Sequence, residues 1–222
     1  MSKKEIAKRY ILFTISLFFS AFGVAVTKHG ALGVSPISSI ANVFSIKFIS
    51  ISLGMWLILW NCILIIGQII ILRKDFKRIQ LLQIPLSFLF GYFTDFGMWC
   101  VSSITVSSYI VQLLFVLIGV VILGFGISLS VIANVIMNSG EAFVKAISDK
   151  SGKNFGNIKI GFDICNVILS LILSMLLFNG TIIGTREGTI ITAVFTGMIV
   201  KIFTKMLNCP LQKVLAAKAV TC

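Results

Sequence analysis

Charge is what this chain has least of. Only 12% of its 222 residues are Asp, Glu, Lys or Arg, where a water-soluble domain carries about a quarter. That scarcity excludes an ordinary soluble globule. Acidic residues are rarest, 7 against 19 Lys and Arg. Histidine occurs once, at His29, and cannot build a metal site alone. The five cysteines (Cys62, Cys100, Cys165, Cys209 and Cys222) form no CxxC pair and no Cys/His cluster. Neither a disulfide framework nor a zinc site is expected. No GxGxxG, P-loop, HExxH or GxSxG stands in a suitable context, and no nucleophile–base set is apparent. The expectation is no cofactor and no enzymatic activity.

What remains is apolar. Hydrophobic residues make up 58% of the chain, and the mean hydropathy is +1.07. The formal charge of +12 fits cytoplasmic loops, which collect Lys and Arg. A nucleic-acid partner is not expected, because no basic stripe with interleaved aromatics lies outside the apolar runs. The first apolar run follows Lys3, Lys4, Lys8 and Arg9. It is long for a signal peptide and reads as an uncleaved first span.

Charge-poor stretches delimit six spans, over residues 10–27, 51–72, 79–99, 109–130, 159–178 and 188–206. About 20 residues are needed to cross the hydrocarbon. Two further apolar segments, 34–46 and 134–148, would reach only roughly 20 Å as helices. Both carry helix-start chemistry. Ser35 can cap, with Pro36 in the first turn. Asn138 and Glu141 have capping-box spacing.

Charge bias decides whether these short segments cross. If both re-enter, fifteen Lys and Arg lie on the inner side and three on the outer. If both cross, the split falls to twelve and six. The positive-inside rule therefore favours six spans with both termini cytoplasmic, in a plasma membrane.

The halves resemble each other at a spacing of about 102 residues. Ala31 matches Ala133, and Leu53-Gly54 matches Phe155-Gly156. Gly91 matches Gly197, with Asp95 and Lys201 four residues beyond. Each half reads as span, short re-entrant segment, span, span. The first repeat covers residues 1–106 and the second 107–222. Three crossings is an odd number, so the second half is inverted. Inverted repeats place solute sites near the midplane, where broken helices meet.

Candidate site residues follow from polarity at depth. Asp95, Asp163 and Lys201 sit within apolar spans, where charges line pathways or pair internally. A plain ion pair between Asp95 and Lys201 is the structural alternative for those two, and a place near the inner interface beside Lys159 is the alternative for Asp163. Lys28 and His29 stand at the outer end of the first span. Ser35 and Asn138 begin the short helices. Glu141, in the first turn of the second, makes that end cation-friendly, whereas the first has no acid and suits an anion or carbonyl.

Several motifs resemble the YczE/YitT-type family of bacterial multi-pass membrane proteins. They are Gly30-Ala31-Leu32-Gly33-Val34-Ser35-Pro36, Ser52-Leu53-Gly54, Asn138-Ser139-Gly140 and Lys159-Ile160-Gly161-Phe162-Asp163. Ile37 stands where a bulky aromatic is expected, and Ser139-Gly140 where a proline is. The resemblance implies a bacterial plasma-membrane protein and no particular substrate.

The resulting expectation is an all-α polytopic membrane protein with six spans, two re-entrant helices and two inverted repeats. Its leading function is transport of a small solute. A non-transporting scaffold or regulator is the alternative, and an intramembrane enzyme a more distant one. The expected partners are the lipid bilayer, an unidentified small solute or ion and, as an open option, a second copy of the chain.

Overall fold

The computed structural model describes residues 3–215. Those residues form eight α-helices: α1 (Lys3–His29), α2 (Pro36–Lys47), α3 (Leu53–Leu72), α4 (Gln83–Val101), α5 (Tyr109–Ala133), α6 (Ser139–Ser151), α7 (Phe155–Leu177) and α8 (Glu187–Leu215). Two short 3-10 turns, Arg73–Asp75 and Arg78–Leu82, join α3 to α4. No strand occurs among the described residues. Six helices (α1, α3, α4, α5, α7 and α8) are long and apolar enough to cross a membrane. Helices α2 and α6 have 12 and 13 residues, or about 18–20 Å of rise.

The outer surface is apolar where a soluble protein's would be polar. Ile70 is 64% exposed and Leu176 74%. Helix α7 is turned inside out: Asn166, Ser170 and Ser174, four residues apart, are its buried positions, while its Leu and Ile face outward. Such a face is stable against hydrocarbon and not against water.

Helices α1 and α5 form the central pair. Gly23, Gly119 and Gly126 let their backbones touch. A Cβ on Gly126 would stand 2.4 Å from Ser20 N, and one on Gly119 2.7 Å from Thr27 N. Close approach of small residues is how helices gain packing energy in lipid. The remaining packing repeats in part when the halves are exchanged, although α3 packs closely on α4 and the corresponding α7 and α8 have no comparable contact. Helix α4 lies on α1 as α8 lies on α5, α2 packs on α7 as α6 packs on α3, and each short helix also touches the next helix of its own half.

The turns before the short helices repeat too. Ala31 and Asn134 both take positive φ, at 57° and 48°. Ser35 and Asn138 share φ −57° and ψ 149°. Neither caps its helix with its side chain, which corrects the capping expected of Ser35, Asn138 and Glu141. Ser35 Oγ instead donates to Ser38 Oγ at 3.0 Å. Real caps begin the long helices: Ser52, Ser108 and Asn154 accept from Met55, Val111 and Gly156. Helix α6 starts at Ser139, five residues later than its apolar segment suggests, because Asn134 ends α5 in the left-handed conformation.

Cys62, Cys100 and Cys165 are free thiols.

Candidate functional site

The helices enclose a cavity of about 540 Å³, within the range of small-molecule sites. Helix α1 contributes Phe13, Leu17, Ser20 and Val24. Trp60 and Asn61 come from α3, Gln83, Ser87 and Phe90 from α4, and Leu123 and Ile127 from α5. Helix α7 adds Phe155, Lys159 and Asp163, and α8 adds Thr192 and Thr196. The first turns of both short helices, 35–38 and 138–141, complete the wall.

The two short helices meet head to head. Ile37 of α2 lies against Gly140 of α6, where a Cβ would fall 1.7 Å from Ile37 Cδ1. Two partially positive helix ends are therefore brought together at one wall of the cavity.

Buried polar contacts fix both starts. Gln68 and Gln83 exchange amide hydrogen bonds at 3.0 and 3.2 Å. Gln68 also donates to Ser139 O, and Ser87 Oγ lies 3.1 Å from Ser139 Oγ. This clip joins α3, α4 and α6. On the other side, Ser39 Oγ donates to Asn166 O, and Thr185 Oγ1 donates to Ser170 Oγ at 3.0 Å.

Three residues of the wall carry a polar atom that is packed away from the open space. Ser20 Oγ, Trp60 Nε1 and Thr196 Oγ1 are buried with no hydrogen-bond partner among the described residues. Each such group costs about 1–3 kcal/mol if nothing meets it. Glu141 makes no hydrogen bond or ion pair among the described residues, although it borders the same space. Asp163 is paired with Lys159, Nζ to Oδ1, at 2.5 Å.

Four of the eight sequence-nominated residues therefore share this cavity: Ser35, Asn138, Glu141 and Asp163. The other four lie elsewhere. Asp95 accepts from Ser52 Oγ at 2.6 Å and from Gly54 N at 2.8 Å. It holds the N-terminus of α3, where a carboxylate suits the helix dipole. Asp95→Ala is expected to lower stability by about 1–2 kcal/mol, read as a lower melting temperature, with cavity accessibility unchanged.

Lys201 lines a second, shallower pocket with Thr204 and Lys205 and does not pair with Asp95. Lys28 Nζ donates to Asn42 Oδ1, and Asn42 Nδ2 donates to Gly184 O at 2.6 Å. Gly188 N donates to Leu32 O at 2.9 Å nearby. These bonds tie α1, α2 and the turn between them to the α7–α8 loop and the start of α8. His29 Nε2 lies 2.7 Å from Ile104 O, against the Phe115 ring.

Sequence reading did not nominate Ser20, Trp60 or Thr196. Their signal was faint: one hydroxyl or indole per turn inside an apolar helix. Among the described residues no three His, Cys, Asp or Glu side chains cluster as metal ligands.

Comparison with known proteins points the same way. The family of unknown function DUF6198 matches residues 7–205. The uncharacterized membrane protein YczE of Bacillus subtilis (strain 168) is 28% identical over 200 residues, covering 90% of this chain and 86% of that protein. The uncharacterized protein YyaS of the same organism is 26% identical over 196 residues, covering 88% and 92%. No solved structure matches.

Proposed function

This chain belongs to the DUF6198 family, and we propose that it is a membrane permease for a small solute, working through the cavity between two inverted repeats. One observation carries the reading: a cavity whose wall includes both short-helix starts and a carboxyl, that of Glu141, with no hydrogen bond or ion pair among the described residues. A purely structural bundle gains nothing from leaving such a group unmet.

The repeats are residues 1–106 and 107–222, with α2 and α6 re-entering the membrane. The matching α1–α4 and α5–α8, α2–α7 and α6–α3, and α2–α3 and α6–α7 packing and the shared dihedrals at Ser35 and Asn138 support this. Irregular backbone at that depth is tolerated where protein or a wet cavity surrounds it. Charge bias puts both termini on the cytoplasmic face of a plasma membrane. The Lys28–Asn42–Gly184 tie then closes the outer end, and transport requires it to break as the halves rock.

Thiol access tests this without knowing the solute. In a background lacking all five native cysteines, Asn61→Cys is labelled with an impermeant maleimide in right-side-out and inside-out vesicles. The expected result is labelling from both faces. Labelling from one face alone, or from neither, would leave a static scaffold. Adding Asn42→Ala is expected to speed labelling from the outer face severalfold, since about one to two hydrogen bonds hold that seal. An unchanged outer rate would remove the gate assignment.

A further inference from the structure

We propose that the cavity binds a small organic monocation with an apolar body, and that Glu141 releases a proton as the cation arrives. This rests on the permease reading and names its substrate class.

The charge count leads to it. The cavity wall holds two carboxylates, Glu141 and Asp163, and one ammonium, Lys159. Lys159 is already engaged by Asp163. No other titratable side chain lines the cavity from α1, α2, α3, α4, α5 or α8. Lys201 and Lys205 border the separate pocket. Glu141 thus has no direct ion pair among the described residues, and the single Lys159 ammonium, which also acts on it through space, is shared between two carboxylates. An unpaired carboxylate in an apolar-walled space requires either a proton or a bound cation.

The remaining wall selects the kind of cation. It is mainly apolar and carries the rings of Phe13, Trp60, Phe90 and Phe155. Aromatic faces attract organic ammonium groups. A metal ion is usually held by several carboxylate, imidazole or thiolate groups, and no three such side chains cluster among the described residues.

The two positive helix ends do not reverse this choice. Each helix end carries only a partial charge, a weaker influence than leaving a full carboxylate buried and unpaired. Glu141 also sits in the first turn of α6, where it offsets that end itself. The exchange balances simply. The Glu141 carboxyl gives its proton to water, and the carboxylate formed pairs with the cation. Net charge in the cavity does not change.

Calorimetry on the purified full-length protein tests the assignment. The probes are benzyltrimethylammonium, phenethylammonium and tetraethylammonium, with phenylacetate as the anionic counterpart. At least one cation is expected to bind, with close to one proton released per cation in weak buffer and affinity falling as pH is lowered. Glu141→Gln should weaken binding by at least about tenfold, and Glu141→Asp should retain most of it. Both variants must elute as the parent does in gel filtration. Binding of phenylacetate alone, no binding of any cation, or cation binding without proton release overturns the proposal. The pH dependence is read on the parent protein, so it survives a variant that fails to fold. Two-sided labelling of Asn61→Cys together with no cation binding would sink this proposal and leave the permease reading standing.

Discussion

Gly23→Val is expected to lower the melting temperature of the purified protein by on the order of 10 °C, and to cost about 3 kcal/mol. The cause is backbone against backbone. A Cβ on Gly23 would stand 2.5 Å from Leu123 N and 2.7 Å from Leu123 Cα. Neither atom can rotate away as a side chain could, so α1 and α5 must separate along their length. That separation also opens Gly119 against Thr27 and Gly126 against Ser20. In lipid no hydrophobic force draws the helices back, because the tails are as apolar as the side chains. The variant should still insert and keep its helical circular dichroism. A melting temperature within 2–3 °C of the parent (a loss of about 1 kcal/mol or less) would show that the pair does not hold the bundle together.

Arg9→Ala is expected to cost about 3–5 kcal/mol, the usual result of removing one partner of a buried charged network. Arg9 is 8% exposed near the start of α1. Its guanidinium donates to Glu5 Oε1, to Gln212 Oε1 at 2.9 Å and to the carbonyl oxygens of Ile132 and Ala133. Those carbonyls end α5 and have no helical partner beyond them. One side chain thus ties α1, α5 and α8 together and supplies positive charge where the α5 dipole is negative. Arg9→Lys should recover only part of the loss, since an ammonium cannot reach four acceptors in the guanidinium's planar pattern. Urea-free thermal melts of the two variants, measured alongside the parent, read the difference. Equal stability of Arg9→Lys and parent would argue that charge alone, without the fork geometry, is what matters.

The positions of the helices were legible because hydropathy reports depth. Residues 10–27 and 109–130 are apolar without charge, and α1 and α5 contain them with a few residues to spare. The two short helices were legible for the same reason, their apolar length being insufficient to cross. Glu141 and Asp163 could be nominated as interior groups because carboxylates are rare in such sequence. Asp95 was nominated on the same ground, yet it serves the start of α3, forty-one residues earlier at Gly54. Lys28 reaches Asn42 and, through it, Gly184, 142 residues beyond Asn42. Nothing local distinguishes these roles, since each residue is one polar group at a plausible depth.

The sequence by itself determined which segments enter the membrane, how far each can reach and how many charges lie within. These are properties of length and composition, summed along one chain segment at a time. Which way each helix turns its polar side was decided only by packing. That choice left Lys159 with Asp163 and Glu141 with an empty space. Rotation about a helix axis costs nothing until a neighbour is present, so the neighbours alone fix what faces the cavity.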